Sequence, residues 1–286
     1  MQKRVLAIHD LSCVGRCSLS VALPILSACG LHASALPTAL LSTHTGEFTG
    51  YSFLDLTDEM ARIDRHLASL GFPQDGVYVG FLGSAAQIAL VHAILQRSRD
   101  EGASIIIDPA MADQGQLYAT YTDEMVAGVT ELCHQADLLL PNVTEAALLL
   151  NRPYLAEPTL KQAQEMTQAL SERYHARQVV MTGIPLGNSM GVFCYDAAAR
   201  EHALLTTPYL PHVFYGTGDV FASALVGLML RGMPLVAACR ATVDFVHEAI
   251  LHTLDNGLPL RYGVAFEQAL HRLMPSEAAA PHPADA

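Results

Sequence analysis

The segment Tyr215-Gly216-Thr217-Gly218-Asp219 passes from turn chemistry straight into an apolar helical pattern, with Phe221, Leu225, Leu228 and Met229 behind it. Its two glycines permit positive φ or the close approach of a ligand, so a helix starting here presents unpaired N–H groups and the positive end of its dipole. Such an end can hold a phosphate or an oxyanion without any side chain. Asp219, in the first turn, reads either as a helix cap or as a base facing a hydroxyl while the amides hold a phosphoryl group. Asn142 and Glu145 stand three apart at another helix start. They form either a capping box or a pair facing one point, which suits a water-bridged Mg²⁺. His9, Cys13 and Cys17 resemble a metal set only weakly, since no second ligand pair follows at zinc-site spacing.

The elements that must position these residues alternate along the chain. Lys3–Ile8 reads as a strand, Cys17–Cys29 as a helix closed by Gly30, and Leu31–Leu36 as the next strand. Leu56, Met60, Ile63, Leu67 and Leu70 fall on one helical face that Gly71 stops. Strands at Val77–Val79, Ile105–Ile107, Leu138–Leu140 and Gln178–Met181 alternate with helices at Ala85–Arg99, Thr144–Leu150 and Leu160–Tyr174. Gly191–Tyr195 and His202–Thr206 read as a hairpin, an antiparallel element near one edge. Helices over Leu235–Leu254 and Ala265–Leu273 follow the glycine elbow. The fully apolar runs require cover on both faces, so the expected fold class is α/β: a three-layer α/β/α sandwich around a mostly parallel sheet.

Ligands of such sheets bind beyond the carboxyl ends of the strands. His9 and Asp10, Gly80, Asp108, Asn142 and Thr182 each follow an apolar strand directly or by one residue, which places them on one rim together with the elbow. A rim of acids and amides facing an anion-binding helix end suggests phosphoryl transfer, where the work is positioning, charge neutralisation and deprotonation of a hydroxyl. The phosphate site is not a P-loop, because no G-x-x-x-x-G-K-[ST] stretch occurs, and the dinucleotide fingerprint is missing after the first strand.

The 286 residues, 51% hydrophobic and 15% charged, suffice for an ample core, and no linker interrupts the alternation. We expect a single domain over residues 1–274 and a disordered Ala- and Pro-rich tail from Pro275 to Ala286. The net charge of −12 leaves no basic stripe for nucleic acid or an anionic bilayer. No window resembles a membrane span or a signal peptide, and six scattered cysteines suit reduced thiols, so a cytoplasmic location is expected.

Gly216-Thr217-Gly218-Asp219 at the head of a helix, with Asn142-Val143-Thr144-Glu145 upstream, resembles the ribokinase superfamily. The loop Ser42-Thr43-His44-Thr45-Gly46 and the segments Gly80-Phe81-Leu82-Gly83-Ser84, Asp108-Pro109-Ala110-Met111-Ala112-Asp113 and Met181-Thr182-Gly183 extend the resemblance, over Val5 to about Leu273, to its vitamin B6 branch, the pyridoxal/pyridoxamine kinases. The resemblance implies a ribokinase-like fold and ATP-dependent phosphorylation of the 5′-hydroxymethyl group of pyridoxal, pyridoxine or pyridoxamine. It makes Asp219 the base and Gly216, Thr217 and Gly218 the anion hole. Asp108, Asp113, Asn142 and Glu145 would surround the Mg²⁺ and phosphates, with Asp108, Asp113 and Glu145 nearest the metal and Thr182 and Gly183 near the ATP. Asp10 and Thr45 would address the ring's polar substituents, and His44 and Phe81 would line its pocket. A monovalent cation and a homodimer are further implications.

Five positions depart from the pattern: Asp10 stands where many pyridoxal kinases have serine, Phe81 where many have tyrosine, Tyr215 where close relatives often have another residue, and Ala110 and Ala112 where bulkier residues or glycine are common. A carboxylate at position 10 would shift preference among vitamers or towards a pyrimidine. Hydroxymethylpyrimidine kinases and other small-alcohol kinases share the elbow and are the nearest alternatives. A ligand-binding regulator that kept the fold without catalysis is the alternative from another class. Ala110–Tyr121 reads either as a polar, flexible loop that closes over ATP or as an ordinary surface loop.

Overall fold

The computed structural model describes residues 2–275. The first half contains β1 (Arg4–Val14), α1 (Leu19–Ala28), β2 (His32–Thr43), β3 (Phe53–Asp55), α2 (Thr57–Ser69), β4 (Gly76–Val79), α3 (Ala86–Asp100) and β5 (Ser104–Ile107). A small hairpin of β6 (Ala112–Asp113) and β7 (Gln116–Leu117) leads to α4 (Asp123–Leu132), β8 (Leu138–Leu139), α5 (Val143–Leu150) and α6 (Leu160–Tyr174). The chain then forms β9 (Gln178–Leu186), β10 (Ser189–Asp196), β11 (Glu201–Pro208), α7 (Thr217–Leu230) and α8 (Leu235–Asp255).

Nine strands build one sheet in the order β11-β10-β9-β8-β5-β4-β1-β2-β3. The six from β9 to β2 are parallel, while β10 and β11 at one edge and β3 at the other run antiparallel. The apolar runs are covered on both faces, as expected for a parallel sheet. Leu6, Ile8, Val77, Val79, Ile105, Ile107, Leu139 and Val179 point into a core shared with α2 to α6. Their neighbours Val5, Ala7, Tyr78, Ile106, Leu138 and Val180 point into a second core with α1, α7 and α8. Helix α7 is central to that layer: every residue from Val220 to Leu228 is buried. The three-layer α/β/α architecture is therefore present as expected.

Several local expectations change. Strand β1 does not stop at Ile8, and β2 does not stop at Leu36. Beyond Ile8↔Val79, where pairing with β4 ends, β1 continues beside β2 as far as Val14↔Thr43, with a register shift between His9 and Leu11. The two strands thus satisfy each other's backbone groups in an arm that projects past the rim. Strand β9 likewise runs through Thr182 to Leu186, because β10 supplies a partner along its length, with an irregularity opposite Thr182 and Gly183. Antiparallel strands occur at both edges, since β3 returns against β2. The helix expected over Ala265–Leu273 is only a 3₁₀ turn at Glu267–Arg272, with i→i+3 bonds from Ala269 N–H to Phe266 and from Leu273 N–H to Leu270. The expected disordered tail lies outside the described residues except for Pro275. Among the described residues no helix is long and apolar enough to cross a membrane.

Candidate active site

The spatial strand order sets the order of the rim. Thr182, Asn142, Asp108, Gly80 and His9 stand on the adjacent strands β9, β8, β5, β4 and β1, or one to three residues past their last paired position. Five strands at the usual spacing make this row about 19 Å long. The β8–β9 ladder continues into a bridge between Asn142 and Thr182, so these two polar residues are side by side.

Helix α7 opens over the His9 side of the rim. Its N-cap, Gly216, has φ 72°, and a Cβ there would lie 2.0 Å from the Arg16 carbonyl oxygen, so only glycine fits the elbow. No side chain caps the helix. Asp219 turns its carboxylate away from the first-turn amides: Oδ1 meets His9 Nε2 at 3.1 Å and Oδ2 accepts from the Ser18 backbone N–H at 2.8 Å. Thr217 Oγ1 donates to the Phe214 carbonyl. The dipole end of α7 thus carries no side-chain cap, a geometry able to hold an anion, and Asp219 is a carboxylate beside it that does not cap.

His9 is almost fully buried, with Nδ1 2.9 Å from Asp10 Oδ1 and Nε2 on Asp219. Burial alone works against its charge, but the hydrogen bonds to Asp10 and Asp219 outweigh it and raise the ring to about 10. For Asp219 burial pushes upward, and the His9 hydrogen bond and charge, with the Ser18 N–H, hold it below the usual carboxylate range. Asp10 has both oxygens engaged, Oδ1 by His9 and Oδ2 by the Ser12 hydroxyl at 3.1 Å.

The other end of the rim is built on α5. Asn142 and Glu145 form a reciprocal capping box: Asn142 Oδ1 accepts from Glu145 N–H, and Glu145 Oε2 from Asn142 N–H, each at 2.9 Å. Glu145 Oε1 also accepts from Met111 N–H at 2.9 Å, and Asn142 Nδ2 donates to the Ala112 carbonyl at 2.7 Å. These bonds, with Gly115 N–H on Thr144 Oγ1, pin the β6–β7 hairpin to the head of α5. The segment Ala110–Tyr121 is accordingly not an unstructured loop but a tethered hairpin. Burial raises both Asp108 and Glu145; repulsion from Asp219 adds to the effect on Asp108, and repulsion from Asp108 adds to that on Glu145. Burial likewise raises Asp113, on the hairpin. Among the described residues no three His, Cys, Asp or Glu side chains gather as a metal-holding group. Asp108, Asp113 and Glu145 do not gather into such a group here, and neither do His9, Cys13 and Cys17. A cation meeting Glu145, whose oxygens already accept from backbone amides, would do so through water.

On the β1–β2 side, His44 follows the projecting arm. Its ring lies 5.5 Å from that of Tyr215 and 4.9 Å from that of Phe48, and Nδ1 accepts from Gly46 N–H. Thr45 is half-buried beside it. Phe81 is 8% exposed and packs against Tyr121, leaving little of its ring to line a pocket, while its carbonyl accepts from Thr38. Two participants were not legible as such in the sequence: His9 as the partner of Asp219, and the Ser18 N–H. The strand-end position of His9 was a signal; for Ser18, a non-glycine at φ 56°, there was none.

A family model described as phosphomethylpyrimidine kinase matches residues 23–261. Among solved structures, the fold superposes with a TM-score of 0.91 on a Bacteroides thetaiotaomicron protein that bears the provisional name phosphomethylpyrimidine kinase and was solved with pyridoxal. The two are 37% identical, over 98% of each chain. A pyridoxal kinase from Lactobacillus plantarum gives a TM-score of 0.85 at 32% identity, over 96% of each chain. A hydroxymethylpyrimidine/phosphomethylpyrimidine kinase of Haemophilus influenzae is 28% identical over 184 residues, which span 63% of this chain and 66% of that relative.

Proposed function

This chain belongs to the phosphomethylpyrimidine kinase family, and we propose that within it the protein transfers the γ-phosphoryl group of ATP to the 5′-hydroxymethyl oxygen of a vitamin B6 vitamer. The observation that carries the reaction type is Asp219, an ionised carboxylate fixed by His9 and Ser18 beside a helix end that no side chain caps. The vitamer assignment is supported by the 37% identical neighbour solved with pyridoxal and the 32% identical pyridoxal kinase.

In this reading the alcohol is held on the β1–β2 side, with Asp10, His44, Thr45 and the edge of Phe81 around its ring, and the nucleotide along Asn142, Thr182 and Gly183. Asp219 takes the hydroxyl proton as the oxygen–phosphorus bond forms, and the bond to the ADP oxygen breaks. The first-turn amides of Thr217 and Gly218, with Gly216 behind them, meet the negative charge on the transferring group. Asp108, Asp113 and Glu145 would hold a Mg²⁺ through water, where it would neutralise charge on the phosphates. Asp219 takes the proton and the α7 dipole meets the charge, so one helix start supplies both tasks. A cytoplasmic homodimer with a monovalent-cation requirement is part of the same proposal.

Asp219→Asn tests the base. We expect kcat to fall by about 10³-fold or more while nucleotide binding by calorimetry persists; substantial residual phosphorylation would remove Asp219 from the role. A panel of pyridoxal, pyridoxine, pyridoxamine, hydroxymethylpyrimidine and ribose, followed by ADP release, tests the acceptor. Hydroxymethylpyrimidine is the second reading, favoured by the family model and the Haemophilus influenzae relative, and its preference over the vitamers would replace the first. Vitamer binding without turnover would support the regulator.

A further inference from the structure

We infer that His9 is a positioning residue whose doubly protonated ring, clamped between Asp10 and Asp219, fixes the rotamer of Asp219 and keeps it ionised for proton abstraction. The inference deepens the kinase reading and rests on it.

Two carboxylate acceptors, one at each ring nitrogen, favour a charged ring. Both ring nitrogens face carboxylate oxygens, at 2.9 Å on the Asp10 side and 3.1 Å on the Asp219 side. An ionised carboxylate only accepts hydrogen bonds, so a neutral imidazole would set a lone pair against a lone pair at one end. The Asp10 backbone N–H also lies 3.0 Å from Nδ1, which would suit a neutral ring accepting there, but only by leaving Asp10 Oδ1 against an unprotonated nitrogen. Asp10 cannot turn away easily, since its second oxygen holds the Ser12 hydroxyl.

The ring is seated as well as bonded. Its edge lies against Gly80, where a Cβ would come within 2.2 Å of His9 Cδ2, and against Tyr78, whose ring centroid is 6.3 Å away. The Ser18 N–H holds the other oxygen of Asp219. Among the described residues, the charged and titratable groups facing this cluster are Asp10 on β1, Cys17 in the turn before α1, His44 after β2, Tyr78 on β4, Asp108 after β5, Tyr118 and Tyr121 after β7, and Asp219 on α7. Three of them are carboxylates that repel one another, and His9 is the buried cation between two of them. A base tied to a cation is weaker than a free carboxylate. A loose phosphoryl-transfer transition state asks more for placement of the hydroxyl than for base strength.

The test compares wild type with His9→Ala, His9→Gln and Gly80→Ala, after matched circular dichroism. We expect His9→Ala to lower kcat by about 100-fold with little change in KM for the alcohol, because the carboxylate is no longer aimed. The acidic limb of kcat/KM should move up by about 1–3 pH units as Asp219 loses its counter-charge. His9→Gln, which can still donate one hydrogen bond, should recover part of kcat while the limb stays shifted. Gly80→Ala, which displaces the ring, should shift the limb in the same direction. A purely structural His9 would lower thermal stability and leave the pH limb in place, which would overturn the inference. A second readout needs no turnover: in histidine-labelled protein the His9 ring should remain doubly protonated at pH 8 and lose that signature in Asp219→Asn. Titration of His9 near its ordinary value of about 6.5 would overturn the clamp. A wild-type chain that phosphorylates no alcohol but shows the protonated ring would count against the kinase reading and not against the clamp.

Discussion

At the scale of single residues, the pairing of His9 with Asp219 has a consequence for stability as well as for chemistry. His9 is raised from 6.5 to about 10, so its contribution to stability is fully present below about pH 6.5 and is lost as the pH rises through 10. Asp219 is lowered from 3.8, so its contribution is present above 3.8 and is lost as the pH falls through its depressed native value. The pair therefore favours the native state most between about pH 4 and 6.5. The melting temperature of the wild type should decline from pH 7 to pH 10 more steeply than that of His9→Gln; equal slopes would mean that the ring is not charged in the native state. Residue types made Asp219 and Glu145 visible as acids of interest, but not what each touches. Glu145 is occupied by three backbone amides, which makes it a keystone of the capping box, whereas Asp219 leaves its own helix uncapped.

At the scale of elements, the elbow before α7 separates two uses of glycine. Gly216 has positive φ and its missing side chain makes room for the Arg16 carbonyl, so Gly216→Ala should cost about 3 kcal/mol or more in urea denaturation. Gly218 has neither constraint: a Cβ there meets nothing within 4 Å. Gly218→Ala should therefore leave stability unchanged or raise it by about 0.5–1 kcal/mol, while raising KM for ATP if phosphate approaches this turn. A Gly218→Ala enzyme with unaltered kinetics would remove that turn from the anion site. The hairpin β6–β7 gives a second contrast. Its residues read as a loose polar loop, but Thr144, Asn142 and Glu145 hold its backbone at three points. Asn142→Ala should cost about 1 kcal/mol through loss of the cap and speed amide exchange in the hairpin; exchange unchanged in Ala112–Leu117 would mean that the tether is not limiting.

At the scale of the whole molecule, one continuous sheet joins all the rim residues, and both cores are shared among strands from the two halves of the chain. We propose that residues 1–274 unfold as a single domain. Far-ultraviolet circular dichroism and the fluorescence of the ten tyrosines should then trace the same urea transition. Two separated transitions would divide the chain into independent units.

The sequence by itself determined the layers, the helix between Leu56 and Leu70, the limits of the helix over Leu160–Tyr174 and the identity of the rim, because hydrophobic periodicity and turn residues are local properties; it did not determine the first helix's buried face, since Met60 is buried and Leu70 is 60% exposed. It did not determine where β1, β2 and β9 end, since a strand continues for as long as a neighbour offers hydrogen bonds, and that neighbour is distant in the chain. Nor did it reveal that His9 and Asp219, 210 positions apart, meet across the rim. Charge and partner at such a site are set by burial and distance, which only the tertiary structure fixes.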